Sequence, residues 1–139
     1  MSLLLAASSL SACAEERVDA ADYRAAAGQA CPAANTGRRA VIGSGHVAGR
    51  VARAMERAGR AARALNAAKP PPELRTAHAG ALHVIQGQVA RLRAVSEQIQ
   101  RGSDPQEVLA AARAGLEQGD TATRDRLAKL GVRACGATA

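Results

Sequence analysis

The residues with the most chemical promise lie between Arg39 and Ala52, RAVIGSGHVAGRVA, where Gly43, Gly45 and Ala48 stand at the spacing G-x-G-x-x-A. In a dinucleotide-binding fold such glycines let the backbone approach a pyrophosphate at a helix N-terminus, and an acid about 20 residues further on holds the ribose. That chemistry needs a strand before the glycines and a carboxylate after them. Here the apolar run is only Ala40-Val41-Ile42, preceded by a glycine and two arginines. The chain about 20 residues past Gly45 reads Leu65-Asn66-Ala67-Ala68-Lys69-Pro70, with neither strand nor acid. No further β-α units follow. The glycines mark a turn, and Ser44 is a candidate cap for the helix behind it.

Other reactive side chains are few. His46, His78 and His83 are the only histidines. His78 and His83 would diverge by about 140° on one helix and cannot share a metal ion. His78 falls on an apolar stripe and is expected to pack in the core or at its rim. Asp19, Asp22, Asp104 and Asp120 fall where helix caps or first turns are expected, which accounts for them without catalysis. No nucleophile, base and orienting group can be assembled from neighbouring motifs. The residues point to no enzyme, no metal and no cofactor.

Three cysteines remain. Cys13 follows MSLLLAASSLSA, an uncharged and mainly apolar run, and Leu10-Ser11-Ala12-Cys13 has the form of a bacterial lipobox. This predicts a lipoprotein-type signal peptide over residues 1–12, acylation of Cys13 and a polar tether over residues 13–18. The run is short and no Lys or Arg precedes it; a start assigned downstream of the true one would account for both. No C-x-x-C is present and no histidine stands near Cys31 or Cys135, so zinc is not indicated. In an exported chain these two are expected to form one disulfide. In a reducing cytosol they would stay two buried thiols.

The elements that must position these residues follow from composition. The 139 residues include 36 alanines, one Tyr, no Phe and no Trp, which predicts a single all-α domain over residues 19–139. With so little aromatic area the core is thin, and a covalent staple would matter. Asp19 is a plausible N-cap for a first helix over residues 19–35, with Tyr23, Ala27, Ala30 and Ala34 on one stripe and a kink at Pro32. Residues 36–45 hold helix breakers and read as loop. Residues 46–68 form an amphipathic helix with Val47, Val51, Met55, Ala58, Ala62 and Leu65 inward. Pro70-Pro71-Pro72 ends it. A third helix over residues 72–101 carries Leu74, His78, Leu82, Ile85, Val89, Leu92, Val95 and Ile99, and Gly102 stops it. Ser103-Asp104-Pro105 starts a fourth, with Val108, Leu109, Ala112 and Leu116 inward, ending at Gly119. Asp120 or Thr121 begins a last one, with Leu127, Leu130 and Ala134 inward. The sum is a small bundle of four or five helices, closed by Cys31–Cys135.

The net charge is +7 and the isoelectric point near 10.6. Such a surface favours an anionic partner: lipid headgroups, an envelope polymer or nucleic acid. Arg50, Arg53, Arg57, Arg60 and Arg63 run along the polar side of the second long helix. Beside an acylated Cys13 they would rest on anionic lipid, each near-surface charge adding about 1 kcal/mol. The rival reading is a basic helical nucleic-acid-binding protein of the cytosol. The lack of aromatic platforms, the lack of a dense lysine tail and the export signal weigh against it.

Tyr23, Cys31 and Asn35, then Pro70-Pro71-Pro72, then the closing Leu130-Gly131-Val132-Arg133-Ala134-Cys135 make up a pattern that spans most of the chain after Cys13. In this the chain resembles a group of small exported helical proteins and lipoproteins of high-GC Gram-positive bacteria. Pro32 and the Gly-rich insert around Gly43 depart from the pattern. The resemblance implies a helical architecture and a place at the extracytoplasmic face of the cell membrane, or secretion, and it assigns no catalytic residue.

Overall fold

Alanine's preference for the helix governs almost all of the chain between Asp19 and Leu130. In a computed structural model, which describes residues 18–133 and Cys135, five α-helices follow one another. They are α1 (Ala20–Gly28), α2 (Thr36–Ile42), α3 (Val47–Ala67), α4 (Arg75–Gln100) and α5 (Pro105–Lys129), with short 3-10 turns at Cys31–Asn35 and Pro72–Leu74. The described residues include no strand. The lipobox and Cys13 lie outside the described residues, as does Ala134.

The long helices α3 and α5 both pack along α4. Two apolar layers show the directions. In one, Val47 and Val51 of α3 meet Leu92 and Val95 of α4 and Val108 and Leu116 of α5. In the other, Leu65 of α3 meets Ile85 of α4 and Leu127 of α5, closed over by Tyr23 and Ala27 of α1. The layer order along α4 is the reverse of that along α3 and α5, so α4 is antiparallel to both. Between the layers lie the buried polar side chains Thr36, Gln88, Asp120 and Thr123. Alanines 27, 30, 33, 40, 54, 58, 61 and 81 fill the contacts, which lets the backbones come close.

Three boundaries differ from the sequence expectation, each for an identifiable reason. Residues 19–35 are not one helix. Helix α1 ends at Gly28, and the amides of Gln29 and Ala30 bond to the carbonyls of Ala26 and Ala27, three residues back. Pro32 has no N–H to carry the α ladder onward and sits instead near the start of a 3-10 turn. Residues 36–45 are not all loop: α2 occupies Thr36–Ile42, leaving a short turn over residues 43–46. The predicted break at Gly119 does not occur either, and α5 runs unbroken to Lys129. A Cβ at Gly119 would lie 2.0 Å from Oε1 of Gln88, so this glycine makes room for a buried amide and does not stop a helix. The buried face of α4 is also turned slightly, with Ala81 and Gln88 inside and Leu82 and Val89 half-buried.

Candidate anion-binding face

Spacings of three and four place Arg50, Arg53, Arg57, Arg60 and Arg63 on one side of α3, away from the buried Val47, Val51, Ala54, Ala58, Ala61 and Leu65. The five are not equivalent. Arg50 donates from Nε to the Ala40 carbonyl at 3.0 Å and from Nη1 to the Gly45 carbonyl at 3.1 Å. Arg53 donates from Nη2 to the Ser44 carbonyl at 2.8 Å. These two strap the turn before α3 onto the helix. Arg60 is paired with Glu56 one turn earlier, both exposed. Half-buried Arg57 and exposed Arg63 make no side-chain hydrogen bond or ion pair among the described residues.

A sixth arginine belongs to this face and was not read from the sequence. Arg39 of α2 donates from Nε to Oδ1 of Asn35 at 3.1 Å. With Gly43, Ser44, Arg50, Arg53, Ala54 and Arg57 it lines a pocket of about 150 Å³. A wider open groove of about 530 Å³ shares Arg57 with it and continues past Arg60 and Arg63. No carboxylate lines either. The signal lay in Arg38-Arg39 ahead of an apolar run, and reading that segment as loop hid it.

The glycine-rich stretch is a turn, as its context predicts. Gly45 has φ +90°, which a residue with a side chain rarely adopts. A Cβ there would lie 3.3 Å from Nη2 of Arg53, and one at Gly43 would run into the Arg39 carbonyl that ends α2 as well as lie 3.3 Å from Cδ of Arg50. The glycines leave space for the arginines to lie against the backbone. Ser44 does not cap α3. The N-cap is His46, whose side chain makes no capping bond, and Ser44 instead offers its carbonyl to Arg53.

The remaining candidates have structural roles. Cys31 and Cys135 are disulfide-bonded across 104 residues, with Cα atoms 4.8 Å apart. Asp19 caps α1 through the amide of Ala21, Asp22 lies in the first turn of that helix, and Asp104 caps α5 through the amides of Gln106 and Glu107. Asp120 caps no helix of its own. From the middle of α5 its Oδ1 accepts from Gly37 N at 2.9 Å and Gln88 Nε2 at 3.0 Å, and its Oδ2 accepts from Arg38 N at 2.8 Å. It is the N-terminal cap of α2, provided by another helix. Burial raises its pKa above the ordinary carboxylate value, while those three hydrogen bonds and the charge of Arg124 pull the other way.

His78 is buried, and its Nδ1 lies 2.9 Å from the hydroxyl of Tyr23. Burial lowers the imidazole pKa and raises that of the phenol. Among the described residues the phenol hydroxyl has no other hydrogen-bond partner, and when it donates to Nδ1 the ring proton sits on Nε2. His46 and His83 are exposed. Among the described residues no group of three His, Cys, Asp or Glu is placed to hold a metal ion, and no helix is long and apolar enough to cross a membrane.

Comparison with protein-family models, with curated proteins and with solved structures finds no match to the chain.

Proposed function

We propose that this chain is a lipid-anchored domain of the extracytoplasmic face of the cell membrane, acylated at Cys13, with a structural or interaction role there and no catalytic one. The observation that carries the reading is the bond between Cys31 and Cys135. A disulfide that ties the first part of a bundle to its last residues persists in oxidising compartments and is rare in the cytosol. It pairs two of the three cysteines and leaves Cys13, behind Leu10-Ser11-Ala12, for acylation. The likeness to exported lipoproteins of high-GC Gram-positive bacteria supports the same place.

The arginine face of α3 gives the anchored domain a second contact. Basic side chains near an anionic leaflet add to the affinity of an acyl chain, and the contribution weakens as salt screens it. Intact-mass analysis of native protein tests the reading directly. The expected product lacks residues 1–12, carries a diacylglyceryl group on Cys13 and has no free thiol at Cys31 or Cys135. A retained leader with all three thiols titratable overturns it. Arg57→Gln, Arg60→Gln and Arg63→Gln together should lower binding to anionic vesicles at low salt, because none of the three holds the turn before α3. Unchanged vesicle binding would remove the lipid contact from the reading.

A further inference from the structure

Two helices and the turn between them bring Arg39, Arg50, Arg53 and Arg57 to one pocket of about 150 Å³ that has no carboxylate in its lining. Four like charges around so small a space repel one another, and the fold holds them there. Carbonyls of Ala40 and Gly45 hold Arg50, the carbonyl of Ser44 holds Arg53, and the Asn35 side chain holds Arg39. A guanidinium has five N–H donors. Arg50 uses two of them on the protein, Arg53 and Arg39 one each, and Arg57 none. The remaining donors of Arg39, Arg50 and Arg53 sit on guanidiniums already tied to the protein, so less freedom is lost there when an anion arrives, and Arg57 is left to turn towards it.

We propose that this pocket binds the phosphate group of a phosphate monoester. The proposal rests on the reading of the α3 face as an anion contact and narrows it to one group at one place. Converging guanidiniums from two helices suit a tetrahedral anion with three acceptor oxygens, whereas one planar carboxylate engages a single fork. The pocket takes one such group. The substituent on the ester leaves through the wider groove along α3, past Arg57 towards Arg60 and Arg63. A lipid headgroup that ends in a phosphate monoester and a soluble phosphate monoester share this chemistry.

The test uses the full, disulfide-intact chain and two sources of the group. Inorganic phosphate and glycerol 3-phosphate are titrated against chloride and acetate at matched ionic strength, followed by melting temperature and by phosphorus NMR. Phosphatidylcholine vesicles containing phosphatidic acid, whose headgroup is a phosphate monoester, form the second arm. The phosphate probes should raise the melting temperature above matched chloride, and acetate should not. Arg39→Gln and Arg57→Gln should each weaken binding roughly tenfold, in line with the loss of charge-assisted hydrogen bonds. Arg57→Lys should recover only part of it, since an ammonium lacks the fork. Arg60→Gln with Arg63→Gln should leave binding of the small probes unchanged. Arg57 has no hydrogen bond to lose, and the melting temperature of Arg57→Gln without phosphate separates any loss of packing by its half-buried stem from loss of binding.

Dependence on Arg39 in the soluble arm identifies a free ester, and dependence in the vesicle arm alone identifies a headgroup; either supports the proposal. Phosphate acting no differently from chloride together with vesicle binding that ignores Arg39→Gln, or binding in both arms that ignores Arg39→Gln, overturns it. Such a failure would leave an acylated Cys13 standing. A retained leader beside intact phosphate binding would overturn the envelope reading and spare the pocket.

Discussion

The hydroxyl of Tyr23 meets Nδ1 of His78 where α1 folds over the start of α4, and this one hydrogen bond lets the chain's single tyrosine be buried. A buried phenol carries apolar area that no alanine can match, but its polar tip must find a partner. His78 can accept the phenol proton only while neutral. Burial lowers its folded pKa below the ordinary 6.5, so in the window between the two values the unfolded chain binds a proton that the folded chain does not. Stability present above pH 6.5 is therefore lost as pH falls through that window. Asp120 has the opposite sign. Its folded pKa is raised above 3.8, so whatever stability its titration adds is complete below 3.8 and fades as pH rises through the folded value. The two windows start from opposite ends of the acid range, which allows them to be separated. Thermal melts should show the wild-type chain less stable at about pH 5.5 than at about pH 7.5, and His78→Gln should flatten that difference. A slope that survives in His78→Gln would assign the titration to another group.

Helix α2 has seven residues, too few to stand alone in water. It persists because Asp120, 83 residues further along the chain, satisfies the amides of Gly37 and Arg38, and because Gly37 sits directly against the backbone of Leu116. Asp120→Ala would leave both amides without their acceptor and Gln88 Nε2 with only the Leu116 carbonyl, a loss of about 1–3 kcal/mol for a buried unsatisfied group. Hydrogen exchange should locate the damage. The α2 amides should exchange faster by a larger factor than those around Leu92 in α4, and uniform acceleration would show that Asp120 supports the bundle generally. The pocket should loosen too, since Arg39 rides on α2. The same facts show what a sequence can disclose about this fold. Helices α3 and α4 were legible because Val47, Val51 and Leu65, and likewise Ile85, Leu92 and Val95, repeat with the helical period, and because Pro70-Pro71-Pro72 separates the two. The arginine stripe was legible for the same reason. Helix α2 was not, because its cap comes from a distant helix and Asn35, at its N-cap position, makes no capping bond. Gly119 misled in the other direction. A glycine that admits Gln88 and a glycine that ends a helix look alike until the packing partner is known.

At the scale of the whole molecule, the bundle joins two thin apolar layers through a polar belt in which Gln88 bonds to both the Leu116 carbonyl and Asp120. Much of what fills the layers is alanine, whose burial contributes less apolar area per residue than leucine or phenylalanine would. The layer that contains Tyr23, Leu65, Ile85 and Leu127 is also the one against which Cys31 and Cys135 pack. There the disulfide fixes the 3-10 turn after α1 to the residues after α5, across 104 positions. A link that closes a loop of about 100 residues removes chain entropy worth about 4.7 kcal/mol from the unfolded state, and loss of a native disulfide commonly costs about 2–5 kcal/mol. Against a domain stability of about 5–15 kcal/mol, that is a large fraction. Reduction of the wild-type chain, and the double variant Cys31→Ser with Cys135→Ser, should lower the melting temperature by the same amount, on the order of 10 °C or more. Agreement between the two measurements would show that the covalent link, and not the shape of either cysteine, carries the effect. If both shifts correspond to less than about 1 kcal/mol, the native geometry or residual structure in the unfolded chain cancels the entropy of closure, and the helices hold their two ends together by packing alone.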